Sequence, residues 1–509
     1  MLSSCLARLA MADAVVLLLF LVLSHSLSCS SSPTTSVPVV RAAVDAEHEY
    51  TFVAISSLKP KAACTGHRVS PPHGHQNATW LRLSLSHGPC SPPSSHRRKG
   101  PSLAELLRQD ELRVQNIQMT LLSAGDDDNA ADDEKVKKRP AKSTTTAMEH
   151  GPVVDVNVGS ASSISTSRID TMATGGGGRR RRSMPGTVQT MMVDTASDVP
   201  WVQCHPPPTG GSRFFDPTRS PTYAPFPCGS PACARLGPYG NGCINGQCQY
   251  RVTYPDGSST LGTYSSDLLT ITRTTAVRSF QFGCSQAEQG LSQASTSSSG
   301  TMSLGGGPES LVSQTAATHG NAFSYCVPPT PSDAGFFVLG KPPSSRTRTF
   351  VATPMLRFTQ APTLYRVLLR GITVAGQRLN VPATVFAAGS VMDSCTAITR
   401  LPPTAYQALR AAFRSRMGAY RLAPPKGSLD TCYDFTGVMV VRVPRVALVF
   451  DRNAAVELDP SGILLDDCLA FAPNGDDRAP GIIGNVQQQT IEVLYDVGGR
   501  SVGFRRGAC

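Results

Sequence analysis

Two tryptophans and an aromatic share of 6% leave this 509-residue chain poor in the flat side chains on which nucleobases stack. The net charge of +11 does not restore a nucleic-acid reading, because much of the excess is one run, Arg179-Arg180-Arg181-Arg182. That run follows Gly175 to Gly178, has no interleaved aromatics, and reads as a solvated linker or a processing site. Beyond the first thirty residues no apolar run is long enough to cross a bilayer, so no membrane span is expected. The ten histidines show no metal-ligand spacing, and none stands in a recognisable arrangement with a serine nucleophile. Metal and Ser-His-Asp chemistry are thereby disfavoured; no metal or cofactor is expected.

What is present starts with a pattern that occurs twice. Val193-Asp194-Thr195-Ala196-Ser197-Asp198 and Val391-Met392-Asp393-Ser394-Cys395-Thr396 each place an Asp after apolar residues and follow it with small or hydroxyl side chains. One Asp-Thr or Asp-Ser pair means little, since a lone Asp is usually a surface, cap or turn residue. Two copies in similarly organised halves suggest paired carboxylates meeting at a pseudo-twofold axis.

The N-terminus carries Arg8, then the apolar run Ala14 to Leu23, then a Ser-rich stretch to Cys29. This suits a secretory signal over residues 1–29, with a plastid transit peptide as the alternative. A secretory, extracellular or vacuolar location follows. Asn77-Ala78-Thr79 is a glycosylation sequon. In such a compartment fifteen cysteines point to disulfides. Eleven lie at Cys204 or later, an odd number that leaves at least one thiol unpaired among them. Cys228, Cys233, Cys243 and Cys248 are spaced too loosely for a zinc knuckle and suit two local bridges.

Residues 30–150 read as a pro-region and linker. Within them, Ser102 to Gln118 has helical periodicity, and such a helix could cover a cleft. From Met184 onward short β-like runs alternate with Gly, Pro, Ser and Asn, as in Val188 to Val193, Gln249 to Tyr254, Leu268 to Thr272, Tyr365 to Val374 and Val438 to Phe450. Helical signals are confined to Glu309–Gln314 and Thr404–Met417. An all-β architecture of two lobes is expected, over 151–345 with the Gly/Arg insert and over 346–509.

Several segments are similar to the plant nepenthesin-like branch of the pepsin family. They include Leu81 to Pro93, Asp198-Val199-Pro200-Trp201-Val202-Gln203-Cys204, Phe215-Asp216-Pro217, Phe282-Gly283-Cys284, Leu429-Asp430-Thr431-Cys432-Tyr433-Asp434-Phe435 and Ile482-Ile483-Gly484-Asn485. The resemblance implies a bilobal pepsin-like β fold with its site in the cleft, made as a zymogen. It implies an endopeptidase in which Asp194 and Asp393 share a proton and activate water at acidic pH. Thr195 and Ser394 match the residues bracing the active-site loops, and Ser197 and Thr396 would hydrogen-bond near the carboxylates. Tyr254 matches the tyrosine of a flap hairpin, and a Cys432–Cys468 bridge is common to the family. A protein or peptide substrate and a monomeric state are expected.

The chain departs from the family pattern at its glycines. Asp-Thr-Gly-Ser and Asp-Ser-Gly-Thr have become Asp194-Thr195-Ala196-Ser197 and Asp393-Ser394-Cys395-Thr396. The apolar-apolar-Gly segment is intact at Ile482-Ile483-Gly484, but its first-lobe counterpart is Thr301-Met302-Ser303, and the flap glycine is Pro255. Overpacking a tight site costs about 1–3 kcal/mol, and displacing a carboxylate by about 1 Å would slow catalysis about 100-fold. A catalytically impaired, peptide-binding or inhibitory homologue is the alternative function. Cys395 reads either as an inert buried thiol or as a redox-sensitive one. The strand that should open the first lobe is not apparent before Met184.

Overall fold

The computed structural model describes residues 49–65, 79–92, 101–123, 151–160, 186–206, 214–254, 258–289, 298–343, 347–358 and 361–509. The expected signal segment, the Asn77 sequon, the tetra-arginine run and Pro255 lie outside them.

The described chain is mostly strand, as the frequent turn residues predict. Thr187–Asp194 forms where Val188 to Val193 was expected, and Gln247–Thr253 and Ser259–Thr270 overlap the next two runs but stop short of Tyr254 and Ile271. The expected Val438–Phe450 run divides at Arg445 into Val440–Pro444 and Val446–Phe450. Pro403–Arg416 is the second-lobe helix, with proline in its first turn. It buries Ala405, Tyr406, Leu409 and Phe413 at the spacing of one helical face.

The strand missing from the sequence reading is Pro152–Val158, antiparallel to Thr187–Asp194. It escaped notice because residues 161–185, with their Gly/Arg stretch, separate it from its hairpin partner. It belongs to a fifteen-stranded sheet that runs through both halves. Residues ahead of the lobes pair both with this sheet and with a strand outside it. Thr79–Leu85 lies between Gly335–Leu339 and Pro152–Val158, and Tyr50–Ala54 pairs antiparallel with Val440–Pro444.

Each half positions its Asp by the same three-strand device. In the first, Gly300–Ser303 runs parallel to Thr187–Asp194, placing Ser303 opposite Asp194, and antiparallel to Trp201–Gln203. In the second, Gly481–Ile483 runs parallel to Ser390–Met392 and antiparallel to Thr399–Leu401. Gly484 then passes so close to the facing loop that a Cβ there would meet the Ala397 carbonyl oxygen at 2.5 Å. Glycine is required by that approach. Ser303 occupies the corresponding first-lobe place and turns its hydroxyl to Ser197 Oγ, 2.6 Å away.

Among the described residues six disulfides are formed: Cys64–Cys90, Cys204–Cys284, Cys228–Cys243, Cys233–Cys248, Cys326–Cys509 and Cys432–Cys468. The two local bridges and Cys432–Cys468 match expectation. Among the described residues the unpaired thiol is Cys395, which is buried.

Candidate active site

The two Asp loops are locked to each other. The Thr195 N–H donates to Ser394 Oγ at 3.1 Å, and the Ser394 N–H donates to Thr195 Oγ1 at 3.0 Å. The Ser394 hydroxyl also donates to the Val193 carbonyl at 2.7 Å, and that of Thr195 to the Met392 carbonyl at 3.3 Å. All these groups are buried, where an unmade hydrogen bond would be expensive. The register of one loop therefore dictates that of the other.

The carboxylates stand on this platform. Asp194 Oδ1 accepts the Ala196 N–H at 2.9 Å. Asp393 Oδ1 accepts the Cys395 N–H at 3.2 Å, and Oδ2 accepts the Thr396 N–H at 3.1 Å and its hydroxyl at 2.6 Å. Gln488 Nε2 donates to the Asp393 carbonyl at 3.1 Å, and Asn485 Nδ2 to that of Ser394 at 2.9 Å. Thr396 thus touches a carboxylate directly, whereas Ser197 reaches Ser303 instead. Tyr254 is buried on the first-lobe side, its hydroxyl accepting Trp201 Nε1–H at 2.8 Å.

The altered glycines leave this geometry intact. Neither Ala196 nor Cys395 has a positive φ, so neither needs glycine's backbone freedom. Both donate the N–H that orients the neighbouring carboxylate. The Cys395 side chain packs with Val153 and Met192. Burial above all, with the charges of Asp194 and Asp393, raises its thiol well above the ordinary range, which suits the inert reading.

What fills the cleft is a side chain that sequence reading did not single out. The helix Leu103–Ser123 covers the expected helical segment and runs slightly beyond it. It buries Leu107, Asp110, Arg113, Val114 and Ile117, one face at helical spacing. Leu107 packs with Ala397, Ile398 and Val486; Val114 and Ile117 pack with Ala196, Ala361, Leu364, Val391 and Ile482. Arg113 is 1% exposed and reaches both acids. Its Nη2 is 2.7 Å from Asp194 Oδ1 and 2.7 Å from Asp393 Oδ1, while Nε is 2.6 Å from Asp393 Oδ2. One nitrogen bonded to both fixes those oxygens no further apart than twice that bond length.

Burial alone would lower Arg113 and raise Asp393. For Arg113 the charges of Asp194 and then Asp393 outweigh it, so the guanidinium is held well above its usual range. The Asp393 carboxyl is correspondingly held below its own, with help from Thr396 and the Cys395 N–H. A helical wheel of 107, 110, 113, 114 and 117 would have flagged two charges on an apolar stripe.

Asp198 was read only as part of a motif. It is buried, accepts the Gly307 N–H at 2.8 Å, and accepts the hydroxyl of Thr363 from the other half at 2.5 Å. Burial raises its carboxyl, against those two hydrogen bonds.

The families described as "Xylanase inhibitor N-terminal" and "Xylanase inhibitor C-terminal" match residues 182–341 and 364–506. An Arabidopsis thaliana aspartyl protease family protein is 34% identical over 472 residues, covering 90% of this chain and 92% of its own. Aspartic proteinase nepenthesin-2 of Nepenthes gracilis is 31% identical over 341 residues, covering 64% of this chain and 76% of its own. Among solved structures, basic 7S globulin from soybean shares the fold, with a TM-score of 0.52 at 19% identity, over 69% of this chain and 94% of that one. With a near full-length relative at that identity and two like-built Asp loops joined in one cleft, the chain belongs to the plant pepsin-like aspartic protease family.

Proposed function

We propose that this protein is an acid endopeptidase in which Asp194 and Asp393 form the catalytic pair, held latent by the helix that carries Arg113. The observation that carries this reading is the single Arg113 nitrogen bonded to an oxygen of each carboxylate. Two carboxylates close enough to share one donor cannot both stay ionised in a free cleft. With the guanidinium gone, they would retain one proton between them and hold a water in its place. The ionised member takes a proton from that water as it attacks the peptide carbonyl. The protonated member hydrogen-bonds the carbonyl oxygen as charge develops there, and a proton then passes to the leaving nitrogen. Thr195 and Ser394 serve as positioning residues, and Thr396 steadies the Asp393 carboxylate.

Residues 30–150 are then a pro-region whose helix seals the cleft, with 151–345 and 346–509 as the lobes. The N-terminal apolar run supports synthesis in the secretory route and an extracellular or vacuolar destination. A monomer suffices, since both carboxylates come from one chain. The silent-cleft alternative drew its support from four altered glycine positions; at two of them, Ala196 and Cys395, the undistorted backbone favours turnover instead.

The test is to express the full chain, acidify it, and follow cleavage of a denatured protein with and without a statine transition-state inhibitor. Inhibitable cleavage abolished by Asp194→Asn and by Asp393→Asn supports the peptidase. Tight statine binding with no cleavage would replace it with a binding protein.

A further inference from the structure

We infer that Arg400 forms a subsite that selects an acidic side chain of the peptide substrate, a specificity that rests on the peptidase reading above. Arg400 lies in Thr399–Leu401, the strand that follows the Asp393 loop, and is 2% exposed. Its Nη2 pairs with Asp110 Oδ2 at 3.0 Å and its Nη1 with Glu111 Oε2 at 3.0 Å. Among the described residues both of its ion-pair partners therefore belong to the helix that must leave before a substrate can enter. Its Nε is buried without a hydrogen-bond partner. Departure of the helix would leave a guanidinium inside the cleft with neither anion, an arrangement that strongly favours a replacement carboxylate. The helix already displays the preferred ligand. Asp110 puts one oxygen on Arg400 and accepts the Ala397 backbone N–H with the other at 2.5 Å, so a side-chain carboxylate is held by a cation and an amide together.

The spacing places this subsite. Asp110 and Arg113 are three residues apart on one helix face, about 5–6 Å between Cβ atoms. Arg113 sits on the two carboxylates, and we place the acid-binding site at a comparable distance from the reacting bond. An extended peptide rises about 3.3 Å per residue, so the acidic residue falls about two positions from the cleaved bond, on the side facing the second-lobe loop.

The experiment measures affinity, so that turnover does not enter. The full chain carrying Asp110→Asn, Glu111→Gln and Arg113→Gln loses every ionic hold of the helix named above while keeping its length. Residual helix docking competes equally with every ligand and cancels from a ratio. Statine peptides with Asp or Asn at each position flanking the statine are titrated at pH 5, where an Asp side chain is ionised. At a position about two residues from the statine, the Asp form should bind about tenfold tighter. Adding Arg400→Gln should equalise the two forms; should that variant bind neither, Arg400→Lys should still favour Asp. Equal binding of Asp and Asn forms at every position, or a preference that survives Arg400→Gln, overturns the assignment while the peptidase stands. Hydrogen exchange confirms beforehand that residues 103–123 are released in this variant at pH 5, and binding of neither form then removes the peptidase reading and the subsite together.

Discussion

Thr195 and Ser394 exchange backbone N–H donors for each other's hydroxyls across the boundary between the two halves. Each Asp sits one residue before this exchange, so the pairing of the acids depends on four buried atoms. Thr195→Ala or Ser394→Ala would leave a buried N–H without an acceptor, at about 1–3 kcal/mol each. A melting temperature lower by several degrees is expected, together with a loss of peptidase activity of about 100-fold from misplaced carboxylates. Calorimetry and a peptide-cleavage assay on the same preparations check both; unchanged activity would count against loop registration.

Removing the Arg113 guanidinium should unseal the cleft. Arg113→Met keeps a chain of similar length but leaves two like charges facing each other. The full-length variant is expected to bind a statine inhibitor and cleave a denatured substrate at a pH where the parent does neither. Cleavage should vanish when Asp194→Asn is added. Equal latency in variant and parent would show that the apolar face of the helix suffices.

Acid should release the helix. Burial would raise the Asp393 carboxyl, but Arg113 and the local hydrogen bonds outweigh it and depress it. A depressed carboxylate stabilises the docked state above its unpaired value, and that contribution is lost as pH falls through the docked value. Asp110 works in the opposite sense: burial raises it against Arg400 and the Ala397 N–H, so its protonation does not release the helix. Because Arg113 engages two acids that cannot both stay ionised once it leaves, the pair dominates. Hydrogen exchange across residues 103–123 is expected to be slow at pH 7 and fast near pH 3, and the reverse order would refute the seal.

The substituted glycines call for the opposite of rescue. Ala196→Gly with Cys395→Gly should change activity less than about threefold, because neither position carries strain to relieve. The pocket shared by Cys395, Val153 and Met192 would instead lose atoms, lowering stability by about 1–2 kcal/mol. Thermal melts and initial rates distinguish these outcomes. A large gain in rate would restore the overpacking argument.

Glu309 is buried with Oε1 unpaired, and its carboxyl is pushed up to about 7, chiefly by burial. A carboxyl raised in the folded state favours folding most below its unfolded value and progressively less as pH rises toward 7. Glu309→Gln should remove that decline. Its melting temperature is expected to exceed the parent's at pH 8 and to match it at pH 4.

The legible part of this molecule is the part that repeats. Asp194 and Asp393 could be paired from sequence because each sits in a similar local string, and the structure gives each the same three-strand setting. Thr195, Ser394 and the Cys432–Cys468 bridge followed from a family likeness. The roles of Arg113 and Arg400 were out of reach for a physical reason, although a helical wheel places Arg113 on an apolar stripe. Those roles come from partners 81 and 290 residues away, which only the docked elements bring together. Pro152–Val158 was hidden because a strand's identity depends on its neighbour, and its neighbour follows a long Gly/Arg insert. From sequence, Ala196 and Cys395 read as overpacking a tight site, a matter of side-chain neighbours that only the fold supplies; φ at both is ordinary, and Cys395 packs with Val153 and Met192.

Thr79–Leu85 is a middle strand of the large sheet, and Tyr50–Ala54 is zipped to Val440–Pro444 on the opposite half. Severing the chain after the helix would therefore not free it, since the upstream ribbon stays stitched in place at two points. A nicked molecule would look mature on a denaturing gel and still be asleep. Awakening becomes a matter of unravelling, with a lag that scissors alone cannot shorten.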